Sequence, residues 1–139
     1  MRSPLLVLLG LSALATSSTT SAIAVSIGTG TACTCGTTVY PSGGLAAAHS
    51  VAVSAIQDHR PVAAYPKAFA NSLENLKFTP AAKCGSGPYL QFPLTHSHPY
   101  KGGSLGPDRI VLHAGSNAFC GCITHVGAHP SNLFVLCKR

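Results

Sequence analysis

An α+β fold, one helix early in the chain and an antiparallel sheet after it, is the class that this 139-residue sequence predicts. Three observations predict it. A single stretch carries apolar residues at helical spacing; later segments are short, aliphatic or aromatic, and separated by Gly, Pro, Ser and Asn; and six cysteines offer covalent ties to a chain with room for only one modest core.

The first element is a leader. Arg2 precedes an apolar run from Leu5 to Leu14, and small residues follow at Ala13 and Ala15 and again at Ala22 and Ala24. This is the layout of an export signal, since the run is too short to span a bilayer and no comparable stretch follows. The expectation is a secreted, extracellular protein without membrane association, cleaved after residue 24 or instead after 15, with one domain over 25–139. No internal repeat is visible, and the Ser/Thr-rich stretch Thr16–Ser21 fits a leader or flexible start.

The helix is expected from Ser42 to His59, with Leu45, Ala48, Ala52, Ala55 and Ile56 on one face. Pro41 and Gly43/Gly44 punctuate its start, Pro61 blocks its continuation, and His59 and Arg60 suit the negative end of the helix dipole. The strand segments are YLQFPL from Tyr89, RIVLH from Arg109, FCGCITH from Phe119 and LFVLC from Leu133. In the first of these, alternation sends Leu90, Phe92 and Leu94 to one face and Tyr89 and Gln91 to the other. What the Gln91 amide faces decides the function.

Cysteines in an exported chain meet an oxidising environment, so disulfides are expected, although six cysteines allow about 15 pairings and spacing does not choose among them. The pairs Cys33/Cys35 and Cys120/Cys122, with seven histidines elsewhere, match no common zinc spacing; neither a metal nor another cofactor is expected. Charge adds a further constraint. Nine Lys/Arg oppose three acids, Asp58, Glu74 and Asp108, for a formal net charge of +6. That excess suits a polyanion such as nucleic acid, and would equally serve solubility alone. A mechanism that needs a carboxylate base must take it from those three residues.

Five landmarks then occur in order: ACTCG at Ala32–Gly36, AYP at Ala64–Pro66, CGSGPYLQFPL at Cys84–Leu94, GPDRIV at Gly106–Val111 and FCGCITHVGA at Phe119–Ala128, with FVLC at Phe134–Cys137 closing the chain. Together they resemble the fungal guanyl-specific ribonucleases, the purine-preferring branch above all. The resemblance implies a helix packed on a twisted antiparallel sheet, the microbial ribonuclease fold, with the site on the sheet's concave face. It also implies the pairs Cys35–Cys137 and Cys84–Cys120, which leaves Cys33 and Cys122 for each other.

The implied chemistry is metal-free cleavage of single-stranded RNA after a purine by attack of the ribose 2′-hydroxyl on phosphorus. Such a step needs a base, an acid for the departing 5′-oxygen, and cations around the phosphorane. His125 matches the acid and Arg109 the phosphate-binding residue, whose planar fork engages two oxygens. Tyr65 matches the family's active-site tyrosine and Phe134 its apolar wall. Plainer roles exist for each: a strand histidine, an Arg109–Asp108 ion pair, and core packing for the two aromatics. Segment Pro66–Asn75 matches the base-recognition loop, with Phe69 as the stacking ring, Asn71 among the base-binding positions and Glu74 as the carboxylate. One position is inserted there, and Leu73 stands where relatives carry an aromatic.

Two departures touch the chemistry directly. Gln91 occupies the place of the glutamate that takes the 2′-hydroxyl proton, and Lys67 that of the family's first histidine. A primary amide has no useful basicity, and a protonated lysine is a poor base. His96 and His98 are the other candidates, in the loop after the strand. The favoured expectation is a catalytically impaired, effector-like pseudo-ribonuclease that binds single-stranded RNA weakly and salt-sensitively, along a path of Lys67, Arg109 and Lys101, or that binds a host protein. The alternative is an active purine-preferring endoribonuclease with His125 as its acid. A monomer is expected in either case.

Overall fold

The structure, a computed structural model, describes residues 32–139 and, before them, only Gly10 and Ala15, so the leader expected over 1–24 falls outside the described residues. In chain order the elements are β1 (Cys33–Cys35), β2 (Thr38–Tyr40), α1 (Ser42–Gln57), β3 (Lys67–Phe69), α2 (Ala81–Cys84), β4 (Tyr89–Pro93), β5 (Asp108–His113), β6 (Phe119–Thr124) and β7 (Val135–Leu136). Strands β3 to β7 form one antiparallel sheet in sequence order, and β1 and β2 form a separate hairpin. The hairpin, β3 and α2 are additions to the elements expected from the sequence. Among the described residues no helix is long and apolar enough to cross a membrane, and no cluster of His, Cys, Asp or Glu is placed to hold a metal ion.

Helix α1 buries Leu45, Ala48, Ala52 and Ala55, as its spacing predicts, and His49 with them, while Ile56 is half-buried. His49 keeps its polarity satisfied because Nε2 lies 2.6 Å from the Asn117 carbonyl, which ties the helix to the β5–β6 turn. The helix stops two residues earlier than expected. His59 adopts φ 51°, its N–H donates to the Ile56 carbonyl and that of Arg60 to the Ala55 carbonyl. This left-handed Schellman ending satisfies the last carbonyls and places His59 and Arg60 beyond the last turn, where no basic residue is found.

Alternation along the strands separates two apolar layers. Phe92, Ile110, Leu112 and Cys122 pack with Leu45, Ala48 and Ala52 of α1, and Phe69, Tyr89, Val111 and Ile123 form the other layer with Phe78 and Phe134. In β6 the register against β5 shifts between Val111 and Leu112, a bulge next to Gly121, whose φ of 137° disfavours any residue with a side chain. Disulfides Cys33–Cys122, Cys35–Cys137 and Cys84–Cys120 close the pairs that the family resemblance implies. With sequence separations of 89, 102 and 36, each restricts the unfolded chain substantially.

One long-range polar contact anchors the start of β5. The Tyr40 hydroxyl donates to Asp108 Oδ2 at 2.6 Å, in a place where Asp108 is 2 % exposed and its Oδ1 has no partner. Burial first, and then the Asp108 carboxylate, push the Tyr40 hydroxyl well above the ordinary tyrosine range. Tyr40 therefore stays neutral in the fold where the unfolded chain ionises from about pH 10. Its contribution is complete below that pH and is lost above it, at up to about 1.4 kcal/mol per pH unit. Tyr40→Phe is expected to cost about 2–3 kcal/mol at pH 7, because the buried carboxylate loses its donor, and to flatten the alkaline loss. Urea unfolding of both proteins at pH 7, 10 and 11 measures the two effects; unchanged stability at pH 7 would refute the anchoring role.

Candidate active site

Strand register assembles the site. Lys67 lies opposite Gln91, Gln91 opposite Val111, and Arg109 opposite Ile123. Opposed residues in an antiparallel pair share a face, so Lys67, Gln91 and Arg109 stand on the side of the sheet away from α1. His125, two residues beyond Ile123, continues that face, and Phe134 enters it just before β7. Tyr65 arrives from the tight turn in which Val62 and Tyr65 exchange backbone hydrogen bonds.

These side chains meet in a continuous chain of contacts. Lys67 Nζ lies 4.4 Å from the Tyr65 ring centroid, and Arg109 Cζ lies 6.0 Å from Tyr65 and 5.8 Å from Phe134. Cations over aromatic faces are held in place by the ring quadrupole. His125 stacks on Phe134 with centroids 3.8 Å apart and planes 26° from parallel. Its Nδ1 lies 2.6 Å from the Leu133 carbonyl. A carbonyl only accepts, so Nδ1 carries the proton and Nε2 is the nitrogen left for a ligand.

Arg109 is 4 % exposed, yet its main partners are backbone: Nη1 donates to the carbonyls of Gly106 at 2.6 Å and Asp108 at 2.8 Å. The ion pair with the Asp108 carboxylate considered from sequence is replaced by this arrangement, because neighbours in a strand face opposite ways and Asp108 turns towards Tyr40. Arg109 Nε is buried without a hydrogen-bond partner. A guanidinium so placed gains from any anion brought to it.

In the loop matched from sequence to base recognition, two of the named side chains are engaged within the fold. Phe69 is 5 % exposed, edge-on to Phe78 and to Phe134 at 6.3 and 5.8 Å between centroids, so it serves the apolar layer and has no free face for a base. Asn71 is spent on the loop itself: its Nδ2 donates to the Leu76 carbonyl at 2.9 Å, and its Oδ1 accepts from the Leu76 N–H at 2.7 Å. Leu73 is 78 % exposed, and Glu74 is half-buried beside it in sequence. On the Gln91 face, the histidine two residues along from Val111 is His113, whose ring nitrogens contact the Gly87 carbonyl and Ser116. His96 and His98 line a small hollow with Gly44, Ala47 and Ala48 of α1, on the opposite side of the sheet. Lys101 is exposed next to Tyr100, a support that sequence reading missed: the Tyr100 ring stands edge-on to both Tyr65 and Phe92 at 6.1 Å.

Comparison with known proteins bears on this geometry. The ribonuclease family profile matches residues 28–138. Guanyl-specific ribonuclease U1 of Ustilago sphaerogena is 43% identical over 75 residues, 53% of this chain and 67% of that protein. Extracellular guanyl-specific ribonuclease Fl1 of Gibberella baccata is 36% identical over 110 residues, 78% of this chain and 97% of that protein. The solved ribonuclease of Hericium erinaceus, RNase He1, superimposes with a TM-score of 0.55 at 28% identity, covering 78% of this chain and 100% of its own.

The loop geometry can be checked independently of any activity. Asn71→Ala removes both bonds to Leu76 and is expected to cost about 1–2 kcal/mol, with faster hydrogen exchange at the Leu76 amide; unchanged exchange there would show that Asn71 does not hold the loop.

Proposed function

The chain belongs to the ribonuclease family that includes the fungal guanyl-specific enzymes, and from that premise we propose a secreted RNA-binding protein whose capacity to cleave is severely impaired. The observation that carries the proposal is Gln91, facing Lys67 across β3 and β4 on the site face of the sheet.

Transphosphorylation needs the 2′-hydroxyl proton removed as its oxygen attacks phosphorus, and a proton delivered to the departing 5′-oxygen. His125 supports the second half, with Nδ1 fixed by Leu133 and Nε2 available. Arg109 and Lys67 support charge on the phosphorane. For the first half the site offers an amide and an ammonium. Each of the three acids lies elsewhere: Asp58 just past α1, Glu74 in the loop after β3, and Asp108 on the α1 side bonded to Tyr40. Cleavage thus lacks its base while the means of holding phosphate persist. The base-recognition loop adds little specificity in this reading, since Phe69 and Asn71 are both committed to packing and to the loop. An effector-like role in a host, with a protein as the target, is the reading that follows if RNA does not bind.

Cleavage of a guanine-containing RNA oligonucleotide by the oxidised protein is expected to be about 10²- to 10⁴-fold slower than with a positioned base. Gln91→Glu should raise the rate, and His125→Ala should abolish what remains. Brisk wild-type turnover that His125→Ala removes would establish an active endoribonuclease instead. Binding is expected to weaken with salt, log K falling by roughly 0.7 per phosphate contacted for each unit of log salt concentration; a salt-independent affinity would discard the phosphate path.

A further inference from the structure

We infer that a single strand bound at the site is held at a second point, a basic slot along the outer edge of β6 that takes one further backbone phosphate. The inference goes beyond the impaired-cleavage reading and rests only on its RNA-binding half.

The slot exists because β7 is short. Only Ile123 and Thr124 of β6 pair with it; the Cys137 N–H still donates to the Cys122 carbonyl at 3.0 Å, and Lys138 then leaves to bridge Thr34. Among the described residues no strand therefore covers the outer edge of β6 at Cys120 and Gly121. The hollow left there has a volume of about 120 Å³ and is walled by Lys77 and Thr79 of the segment before α2 and by Leu136 and Arg139 of the carboxyl-terminal segment. An uncovered strand edge presents backbone N–H donors. No Asp or Glu side chain lines the hollow.

Charge in the slot is fixed without being neutralised. Arg139 Nη1 donates to the Thr79 carbonyl at 2.9 Å and lies 3.3 Å from Thr79 Oγ1, while Arg139 Cζ stands 5.5 Å from the Phe119 ring centroid. Lys77 Nζ donates to Asn75 Oδ1 at 3.0 Å. These partners are all neutral, so a guanidinium fork and an ammonium keep their charge for the two free oxygens of a phosphodiester. Position then ties the slot to the site. Gly121 stands four residues before His125, roughly 13 Å at the usual strand rise. A nucleic acid carries a charge on every residue, so a strand seated at Arg109 and His125 brings another phosphate to the slot within a few nucleotides, whereas an acidic protein segment has no reason to start from the site.

The probes are two 2′-deoxy oligonucleotides, a trimer and a nonamer, each with guanine at its centre; lacking the 2′-hydroxyl, neither can be cleaved by the family reaction. At low salt the nonamer is expected to bind about tenfold more tightly, the effect of one added charge-assisted contact, and to move the Gly121 amide resonance, which the trimer should leave in place. Lys77→Ala and Arg139→Ala should each bring the two lengths to within about threefold and lower the nonamer's salt slope by roughly 0.7, with trimer affinity unchanged as the sign of an intact fold. Arg60→Ala, beyond α1, should alter neither length. Equal affinity for the two lengths, or a full gain that survives both substitutions, would overturn the slot and leave RNA binding at the site standing. Failure of both lengths to bind would sink the RNA-binding reading and the slot together. A Gly121 shift produced by poly-glutamate and not by the nonamer would overturn the inference in favour of an acidic protein segment.

Discussion

The pairing register of β3, β4 and β5 is the constraint on which everything else in this molecule depends. A slip of one residue would turn Gln91 and Lys67 towards the helix and bring Leu90 or Phe92 to the site. Burial enforces the register from both sides at once. Phe92, Ile110 and Leu112 have to lie under α1, and Tyr89, Val111 and Ile123 have to lie in the opposite layer, so neither face tolerates the alternative. The polar residues of the site are carried to their positions by apolar neighbours two places away in each strand.

On that frame, rigidity and charge are supplied by different devices. Arg109 is held by two backbone carbonyls, His125 by one carbonyl and one ring, and Lys67 by a ring. None of these supports consumes negative charge, so the cations are fixed in place without being neutralised. A site built instead from ion pairs would be equally ordered and electrostatically quieter. Under the proposed function, this arrangement is what would let the face hold a phosphate with the Gln91 amide standing opposite Lys67.

The larger elements were legible because each is written by a local period. Leu45, Ala48 and Ala52 announce α1, and the alternation in YLQFPL and RIVLH announces β4 and β5. The family landmarks supplied the disulfide pairs, which no spacing rule could choose. What escaped depends on partners far away in sequence. Strands β1 and β2 have three residues each and gain their order from the pairing of Thr34 with Lys138 and from two disulfides. Tyr40 and Asp108 are 68 residues apart, and neither residue type forecasts a buried pair. Phe69 is a related case: motif position marked it as a stacking ring, while the folding of Phe78 and Phe134 around it made it core. At the far end, LFVLC contributes only Val135 and Leu136 to the ladder, because Phe134 is diverted into the site.

The clasp formed by Cys35–Cys137 and the Thr34–Lys138 bridge has a mechanical meaning. Tension applied across the two ends of the described chain reaches a covalent bond before it reaches any strand of the five-stranded sheet. The clasp thus joins the two ends by a short covalent path, and Cys33–Cys122 is the one further covalent tie from the hairpin into β6.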